Sequence, residues 1–371
     1  MTVTRPWRWG NYAFKTAALG ILGCALAAHA QFATSPPKYA QEIVGDQIKP
    51  VQSKAVRTSA VRLLGRVRNS YGLKSAGRGY DLKVSFTVNS GGQTEDDGAW
   101  RMEEIFDPQQ GLHWDAKSSD GYSITRIRVN GGFYGDQTGS HVPLRLAEVR
   151  AALFDPMPSA KFAARASLRT SKATLDGTAL ECVLLSDSAP VATASAGRRW
   201  DETEECVDAH SGLLRMHSQI PGRYFAYDYT GASQLGGHTF PGKVTVYEGG
   251  KVVTQISIDS LKEISNADPA LFQPTEQMRA RGPATALTEA QKIFQVPDPG
   301  IAFGGTGHAV CVFGVVTATG ELAEAHSLSP SDPASANAVA AAQQMTFNKP
   351  GQTSARPQQH FVFVIEFVSS R

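Results

Sequence analysis

A chain of 371 residues with 36 Lys and Arg against 34 Asp and Glu is too long for one small core and too evenly charged to seek a polyanion. Its 42% hydrophobic and 19% charged residues exclude a disordered tail, and no collagen-like repeat runs through it. Two folded units behind a leader are the starting expectation.

Residues 1–30 carry the three zones of a secretory signal. Arg5, Arg8 and Lys15 come first, then an apolar run from Thr16 to Ala28, then Ala28-His29-Ala30 with cleavage after Ala30. Two other fates stay open: Ile21-Leu22-Gly23-Cys24 resembles a lipoprotein cleavage box with Cys24 lipidated, and the same run left uncleaved is a membrane anchor. Without the three leader cations the formal charge of +2 becomes −1. No Lys/Arg cluster interleaved with aromatics remains, so nucleic acid is not an expected partner. Export places the chain in the periplasm or outer envelope of a Gram-negative-type bacterium, where disulfides are permitted.

Residues 31–52, with Pro36-Pro37, read as an extended segment. From Ser53 to Val67 the apolar Val56, Ala60, Leu63, Leu64 and Val67 recur at helical spacing between Arg57, Arg62, Arg66 and Arg68. That spacing predicts an amphipathic helix packed on a sheet, its basic face solvated; membrane-surface contact is the rival reading. Tyr80, Leu82, Val84, Phe86 and Val88 then alternate with Asp81, Lys83, Ser85 and Thr87, the pattern of an antiparallel strand with one covered face. Further strands are expected at Ala99–Phe106 and Tyr122–Val129, with Asn130-Gly131 as a hairpin turn before Phe133-Tyr134. Pro143 opens a helix bearing Leu146, Val149, Leu153 and Phe154.

Strands resume on either side of Asp176-Gly177, at Cys206-Val207-Asp208, Leu213–Gln219, Arg223–Tyr229, Lys243–Tyr247 and Lys251–Ile258. Nine or ten strands, two helices and no βαβ rhythm predict an α+β fold with a curved antiparallel sheet over residues 53–278. Cys182 and Cys206 lie in strand-like runs joined by a Pro/Ala/Ser/Gly-rich loop, so a bridge across a hairpin is expected, two buried thiols being the alternative. Closing such a loop stabilises by about 3 kcal/mol in the chain-entropy model.

Cys206-Val207-Asp208 with Gly212-Leu213-Leu214, Tyr224 to Tyr229, Phe240-Pro241-Gly242, Val252 to Ile258 and Asp268-Pro269-x-Leu271-Phe272 resemble, in order and spacing, the lipoprotein-carrier (LolA-like) superfamily. The resemblance implies a half-open β-barrel with helices on its concave side and an apolar hollow that takes acyl chains.

Residues 279–300 loosen into a linker. No Gly-x-Ser-x-Gly, His-Glu-x-x-His, Walker loop or Cys-x-x-Cys occurs, so no catalytic, cofactor or metal residues are expected. His308 with Cys311 and His210 with His217 have the nearest metal spacing, neither a full ligand set. Glu95-Asp96-Asp97-Gly98 and Asp201-Glu202 with Glu204-Glu205 read as solvated turns.

Residues 301–371 predict a small ββαβ domain. Val310–Thr317 is a strand apolar on both faces, with Cys311 a small buried hydrophobe; Thr319-Gly320 turns it back to Glu321–Leu328. Asp332-Pro333 caps an alanine-rich helix to Met345, Phe347 plugs the junction before Pro350, and the last strand is aromatic on one face. Gly307 leading to Val312, Phe313 and Val315, Gly320-x-Leu322, the alanine helix, Met345-x-Phe347-x-Lys349-Pro350 and the closing strand resemble the C-terminal domain of the TonB energy transducers. That resemblance implies docking of an extended peptide from an outer-membrane receptor by strand addition. The family's Tyr-Pro start and proline-rich spacer are missing.

The expected function is that of an exported, non-enzymatic envelope protein. Its half-barrel takes an acyl or lipid ligand or a protein, and its terminal module docks a receptor peptide, another envelope protein or a second copy, with Phe361, Phe363 and Phe367 at the contact. The alternatives are a membrane-anchored transducer and an envelope hydrolase using Asp228 or His217.

Overall fold

The computed structural model describes residues 2–4, 49–51, 53–71, 73–91, 97–138, 143–175, 177–187, 198, 202–283, 308–317, 322–345 and 358–367. The cleavage site after Ala30, Cys24, most of residues 31–52, Glu95, Asp96, the linker beyond residue 283, Phe347 and Pro350 lie outside the described residues.

The first elements are β1 (Thr2–Thr4), β2 (Lys49–Pro50), α1 (Lys54–Tyr71), β3 (Gly79–Val88), β4 (Gly98–Asp107), β5 (Gly111–Ser118), β6 (Ser123–Val129) and β7 (Gly132–Gln137). Then come α2 (Leu144–Phe154), α3 (Ala160–Arg165), β8 (Ser167–Leu175), β9 (Thr178–Ser186), β10 (Thr203–Asp208), β11 (Leu214–Ile220) and β12 (Arg223–Asp228). A short hairpin, β13 (Ser233–Leu235) and β14 (His238–Phe240), precedes β15 (Lys243–Glu248), β16 (Lys251–Ile264) and α4 (Glu276–Arg281). The terminal unit is β17 (His308–Thr317), β18 (Leu322–Ser327), α5 (Ser335–Gln343) and β19 (Gln358–Phe367).

The body is one curved antiparallel sheet in the order β2-β8-β9-β10-β11-β12-β15-β16-β3-β4-β5-β6-β7. Its two end strands do not pair with each other, so it is a half-barrel and not a closed one. The alternation in β3 does what it predicted: Tyr80, Leu82, Val84, Phe86 and Val88 are all buried on the concave side. Asn130 and Gly131 both take positive φ, 50° and 77°, making the tight turn between β6 and β7.

The inward side chains meet Leu64 and Val67 of α1, Leu146, Val149 and Leu153 of α2 and Ala163 of α3 in one continuous core. Each such large aliphatic side chain contributes roughly 1.5–3 kcal/mol on burial. The helix continues past the expected Val67 to Tyr71, and Val56 is exposed because it precedes the first turn that reaches the sheet. Two arginines of α1 are not spread on a solvated face. Arg57 Nη2 donates to the carbonyls of Ala164 and Ala166 at 2.8 and 2.9 Å, and Arg68 donates to that of Pro158, pinning α1 to the α3 region.

The strand count of nine or ten was low, and α3 and the β13–β14 hairpin were missed. β5 carries only Leu112, Trp114 and Ala116 between polar residues, and the other missed elements are too short for a period to show.

The terminal sheet runs β1-β19-β17-β18 with all pairs antiparallel. One face of β17, Val310 and Val312, packs on Ala338 and Ala342 of α5. The alanines let that helix lie close. The expected cap sits early: Asp332 Oδ1 accepts from the Ala334 amide at 2.8 Å, and the helix starts only at Ser335.

Candidate functional site

The other face of β17 answers to the body. Cys311, Phe313 and Val315, with Leu328, form one buried cluster with Leu144 of α2 and Ile220 of β11. Two glycine turns shape the seat. Gly222, between β11 and β12, has φ +87°, and a Cβ there would stand 2.2 Å from the Leu328 carbonyl oxygen. Gly249, between β15 and β16, would place one 2.7 Å from that of Ser327. The Gly249 amide donates to the Gly222 carbonyl at 2.8 Å, so the two turns hold each other. Only glycine allows the terminal unit this close.

A charged knot sits beside that cluster. Pro143 starts α2, putting Arg145 and Glu148 one turn apart; Arg223 opens β12 and lies directly across from Glu248, the last residue of β15. The terminal unit supplies Glu324 and His326 from β18 and, opposite His326 in register, Phe313 from β17. Arg145 Nη1 and Nη2 donate to Glu248 Oε1 and Oε2 at 2.6 and 3.2 Å, and Arg223 Nε donates to Oε1 at 2.8 Å. Glu148 joins both arginines, at 3.1 Å from Arg145 Nη1 and 2.8 Å from Arg223 Nη2. His326 bridges Glu248 Oε2 at 3.0 Å and Glu324 Oε1 at 3.3 Å. Both guanidinium groups lie over the Phe313 ring, 4.9 and 5.2 Å from its centre.

Arg145, Arg223, Glu248 and Glu324 are all buried, so each charge depends on its partners. Burial is the largest influence on Glu248 and opposes its ionisation, but Arg145 and Arg223 outweigh it and hold the carboxyl well below the usual range. Burial likewise opposes the charge on His326; Glu248 and Glu324 outweigh it and raise the imidazole to about 9. A protonated His326 balances three carboxylates against two arginines. Glu248, Glu324 and His326 have ligand atoms within 4.8 Å of one another. Both Glu248 oxygens, however, already take two N–H partners each, which makes this an ion-pair knot and not a metal centre.

Several polar groups inside the half-barrel are paired among the described residues. Glu104 accepts from the Tyr80 hydroxyl at 2.8 Å and pairs with Arg150, whose guanidinium lies 4.5 Å from the centre of the Trp114 ring. Tyr71 and Tyr227 both donate to the Ala152 carbonyl, at 3.2 and 3.3 Å. Glu205 lies 2.8 Å from His217 Nδ1, and burial raises its pKa.

The solvated turn read at Glu202, Glu204 and Glu205 is therefore corrected, since all three are buried. Glu202 takes Arg169 Nε and Nη2 at 2.6 Å each, and Glu204 takes Arg198 at 3.2 Å, so the acids at and just before the start of β10 are matched by cations from outside that strand. Cys182 and Cys206 face each other across β9 and β10 and are joined by a disulfide. Cys311 is free and buried, its thiol raised by burial to about 12.

Asp228 and His217 are not brought together. His217 faces the core beside Phe225, whereas Asp228 ends β12 and accepts from the Thr230 amide at 2.9 Å. His210 sits in an exposed turn where its amide donates to Asp208. The register sets Phe361, Phe363 and Phe367 opposite Gly314, Val312 and His308; their side chains lie outside the described residues. On the other side of β19, Ile365 pairs with Val3 of β1. The wet face of β16, β3, β4 and β5 forms an open cleft of about 1040 Å³ lined by both signs of charge, Lys83, Arg101 and Lys117 against Glu103, Asp115 and Asp259.

No family model and no curated protein matches the chain. Among solved structures, a LolA superfamily protein from Nitrosomonas europaea is similar at 8% identity and a TM-score of 0.33, covering 57% of this chain and 96% of its own. A putative outer membrane lipoprotein-sorting protein domain from Vibrio parahaemolyticus gives 7% and 0.34, covering 58% and 97%. The MucA/MucB complex from Pseudomonas aeruginosa gives 13% and 0.28, covering 84% and 94%. No helix among the described residues is long and apolar enough to cross a membrane.

Proposed function

We propose that the chain is a non-enzymatic binding protein of the cell envelope. Its terminal sheet docks an extended segment of another envelope protein along β19. The half-barrel is the frame on which that sheet is seated, and its apolar interior, covered by α1, α2 and α3, takes an acyl chain once a helix shifts.

One observation carries this reading. The outer edge of β19 pairs with Thr2–Thr4, a segment remote in sequence, in register at Glu366, Ile365 and Val364. An edge that accepts a distant β-branched tripeptide offers backbone donors and acceptors to any extended chain, and strand addition draws its affinity from those groups more than from particular side chains. If export removes residues 1–30, the same edge is left for a partner.

Affinity purification of the chain beginning at Gln31 from an envelope extract, followed by hydrogen exchange on the complex, tests the proposal. Protection gained at residues 358–367 supports it. Protection confined to the body would contradict it. A fluorescent fatty acid titrated into the same chain tests the interior, and flat fluorescence at tens of micromolar would remove the acyl ligand from the account.

A further inference from the structure

We infer that the ion-pair knot is a pH-sensitive latch, holding the terminal unit on the body while His326 is protonated and releasing it when that proton is lost.

The argument begins with what faces the imidazole from every element around it. β15 presents Glu248, β18 presents Glu324, α2 presents Arg145 and Glu148, β12 presents Arg223, and β17 presents the Phe313 ring, whose centre lies 5.2 Å from that of the imidazole. Glu324 and His326 come from the terminal unit, and the other charges come from the body. The interface between the two units therefore runs through the middle of the charge balance. With His326 protonated, three positive groups meet three carboxylates. With it neutral, three carboxylates face two guanidinium groups, and Glu324 keeps only Arg145 Nη2, 3.5 Å away, so the buried knot carries an excess negative charge that burial penalises.

Lifting the unit away is the response that costs the fold least. Glu248 keeps Arg145 and Arg223 within the body, Glu324 exchanges Arg145, 3.5 Å away, for water, and α5 still covers the other face of β17. The apolar cost falls on Cys311, Phe313, Val315 and Leu328, which leave Leu144 and Ile220. The raised pKa of His326 fits this geometry: a proton held more tightly in the seated state than in solvent favours seating wherever it is bound.

Cys311 supplies the reporter, being buried in the seat while Cys182 and Cys206 of the body are joined to each other. The experiment uses the full chain with Cys24→Ser, so that Cys311 is the single free thiol. Its alkylation by N-ethylmaleimide is followed from pH 6 to 10, each rate divided by that of the urea-unfolded chain at the same pH. One linked proton makes the corrected rate climb about tenfold per pH unit between the free and seated pKa values, then level off. In His326→Gln the corrected rate should be at least about tenfold above wild type at pH 6.5 and independent of pH. A flat wild-type profile, or a His326→Gln profile with the wild-type slope, would overturn the latch. If that variant does not fold, the wild-type slope alone decides.

Discussion

His326 of β18 and Glu248 at the end of β15 stand 3.0 Å apart, Nε2 to Oε2, across 78 residues of chain. The contact joins a β-strand of the terminal unit to the body at the point where Arg145 and Arg223 already converge. Its acid limb follows from Glu248. The folded pKa is depressed from 4.5, so its stabilisation is present above pH 4.5 and is lost as pH falls toward the folded value. Urea-unfolding midpoints from pH 3 to 9 should therefore be highest between about 4.5 and 6.5 and decline on both sides, the alkaline decline belonging to His326. A midpoint unchanged down to pH 3 would contradict the assignment.

Gly222→Ala should unseat the terminal unit without touching a charge. Alanine at φ +87° costs roughly 1–2 kcal/mol in backbone strain, and its methyl would meet the Leu328 carbonyl at 2.2 Å. Faster exchange of residues 310–315, with β3 and β4 unchanged, is the expected pattern. Equal exchange throughout would mean the turn is not part of the seat.

Arg150→Met should destabilise the half-barrel by about 3–5 kcal/mol, because Glu104 is left buried without its cation, with only the Tyr80 hydroxyl for support. Combining it with Glu104→Gln should return most of that loss, since no buried charge then lacks a partner. Chemical denaturation of the two single variants and the double variant gives the coupling. Simple additivity would argue against the pair.

Replacing Cys182 and Cys206 by serine opens a bridge spanning 24 residues and should lower unfolding stability by about 3 kcal/mol. Thiol titration of the Cys24→Ser chain, with Cys182 and Cys206 intact, should find one thiol, reactive only after unfolding or unseating.

The strands were legible where one face is wet: β3 alternates cleanly, and Asn130-Gly131 has the backbone its residues require. The order of β17, β18, α5 and β19 was legible because β17 is apolar on both faces and α5 is alanine-rich. What covers the second face of β17 was not. Arg145, Arg223, Glu248, Glu324 and His326 are scattered along the chain, and each reads alone as a surface charge. Only the glycine turns hinted otherwise, with Arg223 just after Gly222 and Glu248 just before Gly249. Glu202, Glu204 and Glu205 misled for the same reason, since their cations, Arg169 and Arg198, and the imidazole of His217 arrive from neighbouring segments.

The most direct test of partner docking along β19 is photo-crosslinking in cells. A photoreactive phenylalanine analogue is placed singly at Phe361, Phe363 or Phe367, and at Thr87 and Lys117 on the wet face of the body as controls. The account predicts a discrete crosslinked envelope protein from at least one β19 position and none from the controls. Crosslinks from Thr87 or Lys117 alone would place the partner on the body and contradict it.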